Sequence, residues 1–191
     1  MKAFAEVKPT VILSVPLILE KIYKKMIQPQ ISKKPVSWVL KMPLLDKVVL
    51  NKIRETLMNA FGGEFSQIII GGAPLNAEVE AFLRRIKFPV TVGYGMTETA
   101  PLISFTPWTD FRSQSCGQVL KGFMDARIAN PDMDGVGEIQ VRGENVMAGY
   151  YKNEQATKES FTADGWLRTG DLGIIDKDGF IYIKGRCKTM L

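Results

Sequence analysis

The chain has 191 residues, 46% of them apolar and 24% charged, with a formal net charge of +5. That is the composition of an ordinary soluble globular protein, long enough to bury a core in one or two domains. It contains no histidine, which excludes the usual general base and the usual zinc ligand from any mechanism. The basic excess is dispersed in pairs such as Lys24-Lys25, Lys33-Lys34 and Arg84-Arg85, read as solvated helix faces. Attraction to anionic lipid or nucleotide is the alternative reading. Cys116 and Cys187 lack metal or redox spacing, fit a reducing compartment and are expected to be buried, inert thiols. No signal peptide or membrane span is evident; Val11 to Leu19 is too short and contains Pro16. A cytoplasmic location is expected, with association at a membrane periphery as a further option.

Met1 to Val7 is helix-like, and Val11 to Val15 is a short apolar run read as a strand. Pro16 suits the first turn of a helix whose apolar face would be Leu19, Ile22, Tyr23 and Met26. Residues 27–43 are polar and proline-broken, so an irregular connection or short helical pieces is expected. Leu45 to Phe61 repeats apolar residues at Val49, Ile53, Leu57 and Ala60, with Gly62 placed to stop the helix.

The centre of the chain reads strand, turn, helix, strand, turn. Phe65 to Ile70 is an apolar run ended by Gly71-Gly72, the pattern of a buried parallel strand. Asn76 can cap the next helix, with Glu78 and Glu80 in its first turn and Arg84 and Arg85 in its last. Val79, Phe82, Leu83 and Ile86 give that helix one apolar face, and Lys87 to Val92 returns as a strand. Strands joined by a crossover helix lie parallel, so two glycine-bearing turns, at Gly71 and at Gly93, mark a carboxyl sheet edge of the kind that binds ligands.

Beyond about residue 100 helical periodicity fades and short alternating runs take over. Asp125 to Ala129 and Glu138 to Arg142 flank one hairpin turn; Gly173 to Asp176 and Phe180 to Lys184 form another. Asn153 to Ser160 is the one expected helix in this half. The fold class is therefore α/β: part of a parallel-sheet α/β subdomain over 1–108, then a β-rich, barrel-like subdomain over 109–191. The abrupt start and the stop just after a strand-like run read as cuts in a longer protein.

Five motifs stand in order: Gly71-Gly72-Ala73-Pro74-Leu75, Gly93-Tyr94-Gly95-Met96-Thr97-Glu98-Thr99, Gly149-Tyr150-Tyr151-Lys152-Asn153, Asp164 to Gly173, and Lys184-Gly185-Arg186-Cys187-Lys188. Together they resemble the adenylate-forming superfamily of acyl-CoA synthetases, peptide-synthetase adenylation domains and luciferases. Lys8-Pro9-Thr10, Val15-Pro16 and Glu20-Lys21-Ile22-Tyr23 are most similar to the long-chain fatty acyl-CoA synthetases, although Leu17 replaces the basic residue common after the Val-Pro pair.

The resemblance implies ATP, Mg²⁺ and coenzyme A as co-substrates and cofactor, with a fatty acid as the carboxylate. Glu98 would be the Mg²⁺ carboxylate, a hard oxygen ligand beside ATP phosphates. Thr97 would donate to the α-phosphate, while Thr99 is an alternative cap for the following segment. Gly71, Gly72, Ala73 and Pro74 would wall the adenine, with Tyr94 stacked on it; Gly93, Gly95 and Met96 complete that turn, Gly95 supplying backbone conformation near the acyl carboxylate. Asp171 would accept both ribose hydroxyls. Ile183 would flank adenine or pack in the β-rich half, and Arg186 would contact ribose and phosphate. Lys188 falls at the family's interdomain hinge. Trp166, with Asp164-Gly165, reads as structural.

The same resemblance implies a phosphate loop upstream and a catalytic lysine downstream, both in missing parts of the same polypeptide. The chain would then be a central portion of a synthetase, inactive alone. Two other readings stay open: an amino-acid-activating adenylation domain, and a non-catalytic nucleotide-binding module. A membrane-surface adaptor using the basic N-terminal helices is a weaker third. No nucleic-acid partner is expected.

Overall fold

The computed structural model describes residues 2–34, 42 and 45–187. They form two compact units, Met1–Thr91 with Pro107–Thr109 and Val92–Thr106 with Asp110–Leu191. Most of the expected irregular connection up to residue 43, and the hinge position Lys188, lie outside the described residues.

In the first unit, α1 (Lys2–Val7) precedes β1 (Val11–Ser14) and α2 (Pro16–Ile22). A π-helical turn, Tyr23–Ile27, then leads into the short α3 (Gln28–Ile31). The π turn inserts about one extra residue per turn. It brings Ile27 rather than Met26 under the helix, so Leu19, Tyr23 and Ile27 are buried while the expected Met26 is 41% exposed. Helix α4 (Leu45–Ala60) buries Leu50 and Leu57 and half-buries Val49, Ile53 and Ala60. Gly62 ends it at φ +96, and a Cβ there would lie 2.5 Å from the Phe4 carbonyl oxygen. Only glycine tolerates both that dihedral and that approach.

Strand β2 (Gln67–Ile70) pairs in parallel with β1 from Val11↔Gln67 to Ser14↔Ile70. Helix α5 (Ala77–Arg85) follows, capped by Asn76, whose Oδ1 accepts from the amides of Glu78 and Val79. It buries Val79 and Leu83, and β3 (Val90–Val92) completes the sheet order β1-β2-β3. The expected strand from Lys87 is shorter because the chain turns at Lys87, which has φ +51. Phe61, Phe65 and Phe88 fill the core, their ring centroids 5.8–6.2 Å apart in tilted and edge-on pairs.

The second unit is antiparallel and contains two sheets. Strands β4 (Tyr94–Gly95), β5 (Leu102–Phe105) and β6 (Gln118–Val119) form a small one. Strands β7 (Met124–Ala129), β8 (Gly137–Gly143), β9 (Leu167–Ile175) and β10 (Ile181–Arg186) form the larger, in the order β10-β9-β8-β7. Both expected hairpins are present as β7–β8 and β9–β10. The barrel-like expectation is corrected: among the described residues the strands make no closed barrel. Helix α6 (Glu154–Ser160) is the expected short helix, capped by Asn153.

Ile103, Met124, Ile139, Val141, Leu167 and Ile181 form the core of this unit. The guanidinium groups of Arg127 and Arg142 lie 4.5 and 4.6 Å from the Trp166 ring centroid, and Asp164 grips Arg127 at 2.7 and 3.1 Å. Cys116 is buried as expected; Cys187 is exposed, a correction that follows from its place just past β10.

Candidate functional site

Asp171 sits where two strands lose register. Between β8 and β9 the pairing steps from Gln140↔Arg168 to Glu138↔Leu172, so β9 carries extra residues, and Gly170 takes φ +71 within them. Strand β10 is bulged as well, between Ile183 and Gly185, before Arg186 pairs with Asp171. Bulges re-aim side chains at sheet margins. Here the Thr169 hydroxyl donates to the Ile139 carbonyl and accepts the Asp171 amide, which fixes the bulge from inside.

The Asp171 carboxylate is buried, with one partner on each oxygen. The Tyr94 hydroxyl donates to Oδ2 at 2.8 Å, and the Arg186 Nε lies 2.9 Å from Oδ1. Burial pushes the Tyr94 phenol far above its ordinary range, and the neighbouring Asp171 charge adds to that shift, so the phenol remains a donor. A carboxylate offers about four lone-pair sites. Two therefore remain for hydroxyl donors from a ligand.

Glu98 lies four residues after Tyr94 in a 3₁₀ turn, Thr97–Thr99. The buried Thr99 hydroxyl accepts the Met96 amide and donates to the Pro101 carbonyl at 2.8 Å. Thr99 thus caps its own turn rather than the following segment. The Met147 amide donates to the Glu98 carbonyl at 2.8 Å, and Asn145 Nδ2 donates to the carbonyls of Thr99 and Leu102 at 2.6 and 2.9 Å. The Glu98 side chain accepts the Tyr150 hydroxyl on Oε1 at 2.8 Å.

Of the residues singled out from sequence, Tyr94, Asp171 and Arg186 are in direct contact, and Glu98 stands on the same segment as Tyr94. Thr97 is exposed beside it, and Gly93 and Met96 are half-buried, Met96 against the core. Gly95 has a steric reason for being glycine: a Cβ would lie 1.8 Å from the Pro101 carbonyl oxygen. Ile183 packs against the core of the second unit. Gly71, Gly72, Ala73 and Pro74 follow β2 in the first unit. Gly72 has φ +83, and among the described residues, chain neighbours aside, no atom lies within 4 Å of a Cβ at either Gly71 or Gly72.

Sequence reasoning missed Asn145 as a clamp and assigned nothing to Tyr150. The Gly149-Tyr150 motif was the available signal for the second; nothing local distinguishes Asn145. Among the described residues no cluster of three or more His, Cys, Asp or Glu can hold a metal ion. A lone carboxylate such as Glu98 fits Mg²⁺ that arrives on phosphate oxygens with its waters, and does not fit a protein-caged ion.

The family described as AMP-binding enzyme matches residues 1–151. The chain belongs to the AMP-binding enzyme family. The long-chain-fatty-acid–CoA ligase FadD15 of Mycobacterium bovis is 35% identical over 208 aligned residues, covering 96% of this chain and 33% of the relative. The long-chain-fatty-acid–CoA ligase ACSBG2 of Gallus gallus is 33% identical, covering 97% and 27%. Among solved AMP-binding and CoA-ligase structures, the Bacillus subtilis O-succinylbenzoate coenzyme A synthetase with ATP and magnesium superposes at TM-score 0.70 and 26% identity, covering 100% of this chain and 34% of that one. ATP-bound MatB from Rhodopseudomonas palustris gives 0.68 at 27% identity, covering 97% and 32%. The chain thus spans about one third of the length of the curated relatives it matches. It is a homologue of long-chain fatty-acid–CoA ligases within an adenylate-forming family.

Proposed function

We propose that this chain is the central portion of an ATP-dependent long-chain fatty acid–CoA ligase. It would supply ribose, adenine and Mg²⁺-phosphate contacts and be inactive alone. The observation that carries this reading is the Asp171 carboxylate, built into a double bulge and tied to Tyr94, on the segment that also bears Glu98. The relatives' names and the ATP-bound neighbours support the same chemistry.

In the first step a fatty-acid carboxylate oxygen attacks the α-phosphorus of ATP. The bond to the bridging β-phosphate oxygen breaks, and pyrophosphate leaves. In the second, the coenzyme A sulfur attacks the acyl carbonyl, its proton is lost, and AMP departs with the former acyl–phosphate oxygen. Mg²⁺, when bound, neutralises the charge that gathers on the phosphate oxygens. Glu98 would hold it, and Thr97 would donate a neutral hydrogen bond to the α-phosphate, following charge into the transition state.

Asp171 would accept the ribose hydroxyls on its remaining lone pairs, while Arg186, bound to it through Nε, presents its outer nitrogens to ribose or phosphate oxygen. Gly71, Gly72, Ala73 and Pro74 are the candidates for adenine contact in the first unit, and Tyr94 and Ile183 those in the second. Lys188 would serve as hinge. The test is ATP–pyrophosphate exchange by the full-length protein. Palmitate should support exchange, and Glu98→Ala should lower kcat about 100-fold. Exchange driven by amino acids and not by fatty acids would overturn the long-chain assignment; ATP binding without any exchange would overturn the enzyme reading.

A further inference from the structure

The Gly149-Tyr150-Tyr151-Lys152-Asn153 motif has no role in the scheme above, yet the structure spends several interactions on placing Tyr150. The Tyr150 amide donates to Thr157 Oγ1 at 2.8 Å, and that hydroxyl donates to the Asn153 carbonyl at 2.9 Å. Asn153 in turn caps α6 through the Ala156 amide. A Cβ on Gly149 would lie 2.7 Å from Thr157 Cγ2, and its φ of +152 favours glycine. The motif therefore seats the chain on α6 and aims the Tyr150 hydroxyl at Glu98 Oε1, 2.8 Å away. Tyr151, the next residue, is 87% exposed and makes no such contact with the turn.

We propose that Tyr150 is the positioning residue for Glu98: its hydroxyl holds one lone pair of Oε1 and fixes the carboxylate, so that Oε2 would be the less encumbered oxygen for a cation carried on the nucleotide phosphates. This rests on the reading of Glu98 as the Mg²⁺ carboxylate. One-oxygen ligation has a chemical consequence. Mg²⁺ demands near-ideal octahedral geometry with single oxygens, whereas Ca²⁺ readily takes both oxygens of a carboxylate. Tying down Oε1 favours Mg²⁺ and works against the larger ion. Met147 and Asn145 fix the backbone of the same turn, leaving Tyr150 to fix the carboxylate.

The experiment is calorimetric binding of MgATP, CaATP and ATP in EDTA to the full-length protein, unsubstituted and as Tyr150→Phe. The variant should bind MgATP about tenfold more weakly, the low end for loss of a group that orients a metal ligand, and CaATP within about twofold of the original. Affinity for ATP in EDTA should stay unchanged, and Tyr151→Phe should change none of the three. Equal weakening of MgATP and CaATP means a purely structural role and overturns the proposal, as does no change. If Tyr150→Phe melts early, Thr157→Val provides the second arm, with a selectivity shift in the same direction expected. Should the unsubstituted protein bind MgATP no better than ATP in EDTA, the functional reading itself falls, an outcome distinct from an unmoved Mg²⁺/Ca²⁺ ratio.

Discussion

Asn145 shows how much one amide can hold. Both carbonyls it serves, Thr99 and Leu102, flank the Glu98 turn, and its own Oδ1 is buried with no partner among the described residues. The net gain of the side chain comes entirely from its two N–H donors. Asn145→Ala should leave two carbonyls unpaired and cost about 2–3 kcal/mol, read as a lower melting temperature of the second unit. Asn145→Asp is sterically equivalent but turns a donor into an acceptor facing acceptors, so it should cost more than the alanine. A melting temperature within a degree of the unsubstituted protein for both variants would show that the clamp contributes nothing.

Between elements, the first unit is joined by a polar contact inside an apolar seam. Tyr23, 4% exposed in the π-helical turn, donates to Glu78 Oε1 on α5 at 2.9 Å, while its ring lies 5.2 Å from Phe82. Burial first, and then the hydrogen bond to Glu78, push its phenol up to about 12. An unfolded tyrosine titrates near 10. Above that pH the unfolded chain releases a proton that the folded chain keeps, so stability must fall as pH rises. The contribution is complete below about pH 10 and is lost between roughly 10 and 12. Tyr23→Phe should cost about 1 kcal/mol at pH 7 and should flatten the alkaline decline in urea midpoints. An alkaline limb of unchanged steepness in the variant would refute this account.

At the scale of the whole molecule, the chain covers about a third of its curated relatives, and the charged candidates Glu98, Asp171 and Arg186 all lie in the second unit. Among the described residues no helix is long and apolar enough to cross a membrane. The sequence holds no Gly-x-x-x-x-Gly-Lys loop and no histidine to stand in as base. Phosphoryl-type chemistry depends on several positive clamps acting together. The 191-residue chain by itself should therefore show no palmitate-dependent pyrophosphate exchange above background. Turnover at a rate near that of the full-length protein would sink the central-portion reading.

Helix α5, its Asn76 cap and the hairpins β7–β8 and β9–β10 were legible in the sequence, because capping, periodicity and turn chemistry act over a few residues. The motifs likewise marked Glu98, Asp171 and Arg186 as candidates before any geometry was known. Only the tertiary structure decided which of them meet. Tyr94 reaches Asp171 across 77 positions and Tyr150 reaches Glu98 across 52, distances over which local propensity carries no information. The π turn that substitutes Ile27 for Met26, and the Pro101 carbonyl that forbids a side chain at Gly95, are also invisible to periodicity. Periodicity counts only the spacing of side chains, whereas a change of helical turn and a close backbone approach belong to the path of the chain in space; register and bulges likewise are set by the partner strand and not by the residue's own neighbours.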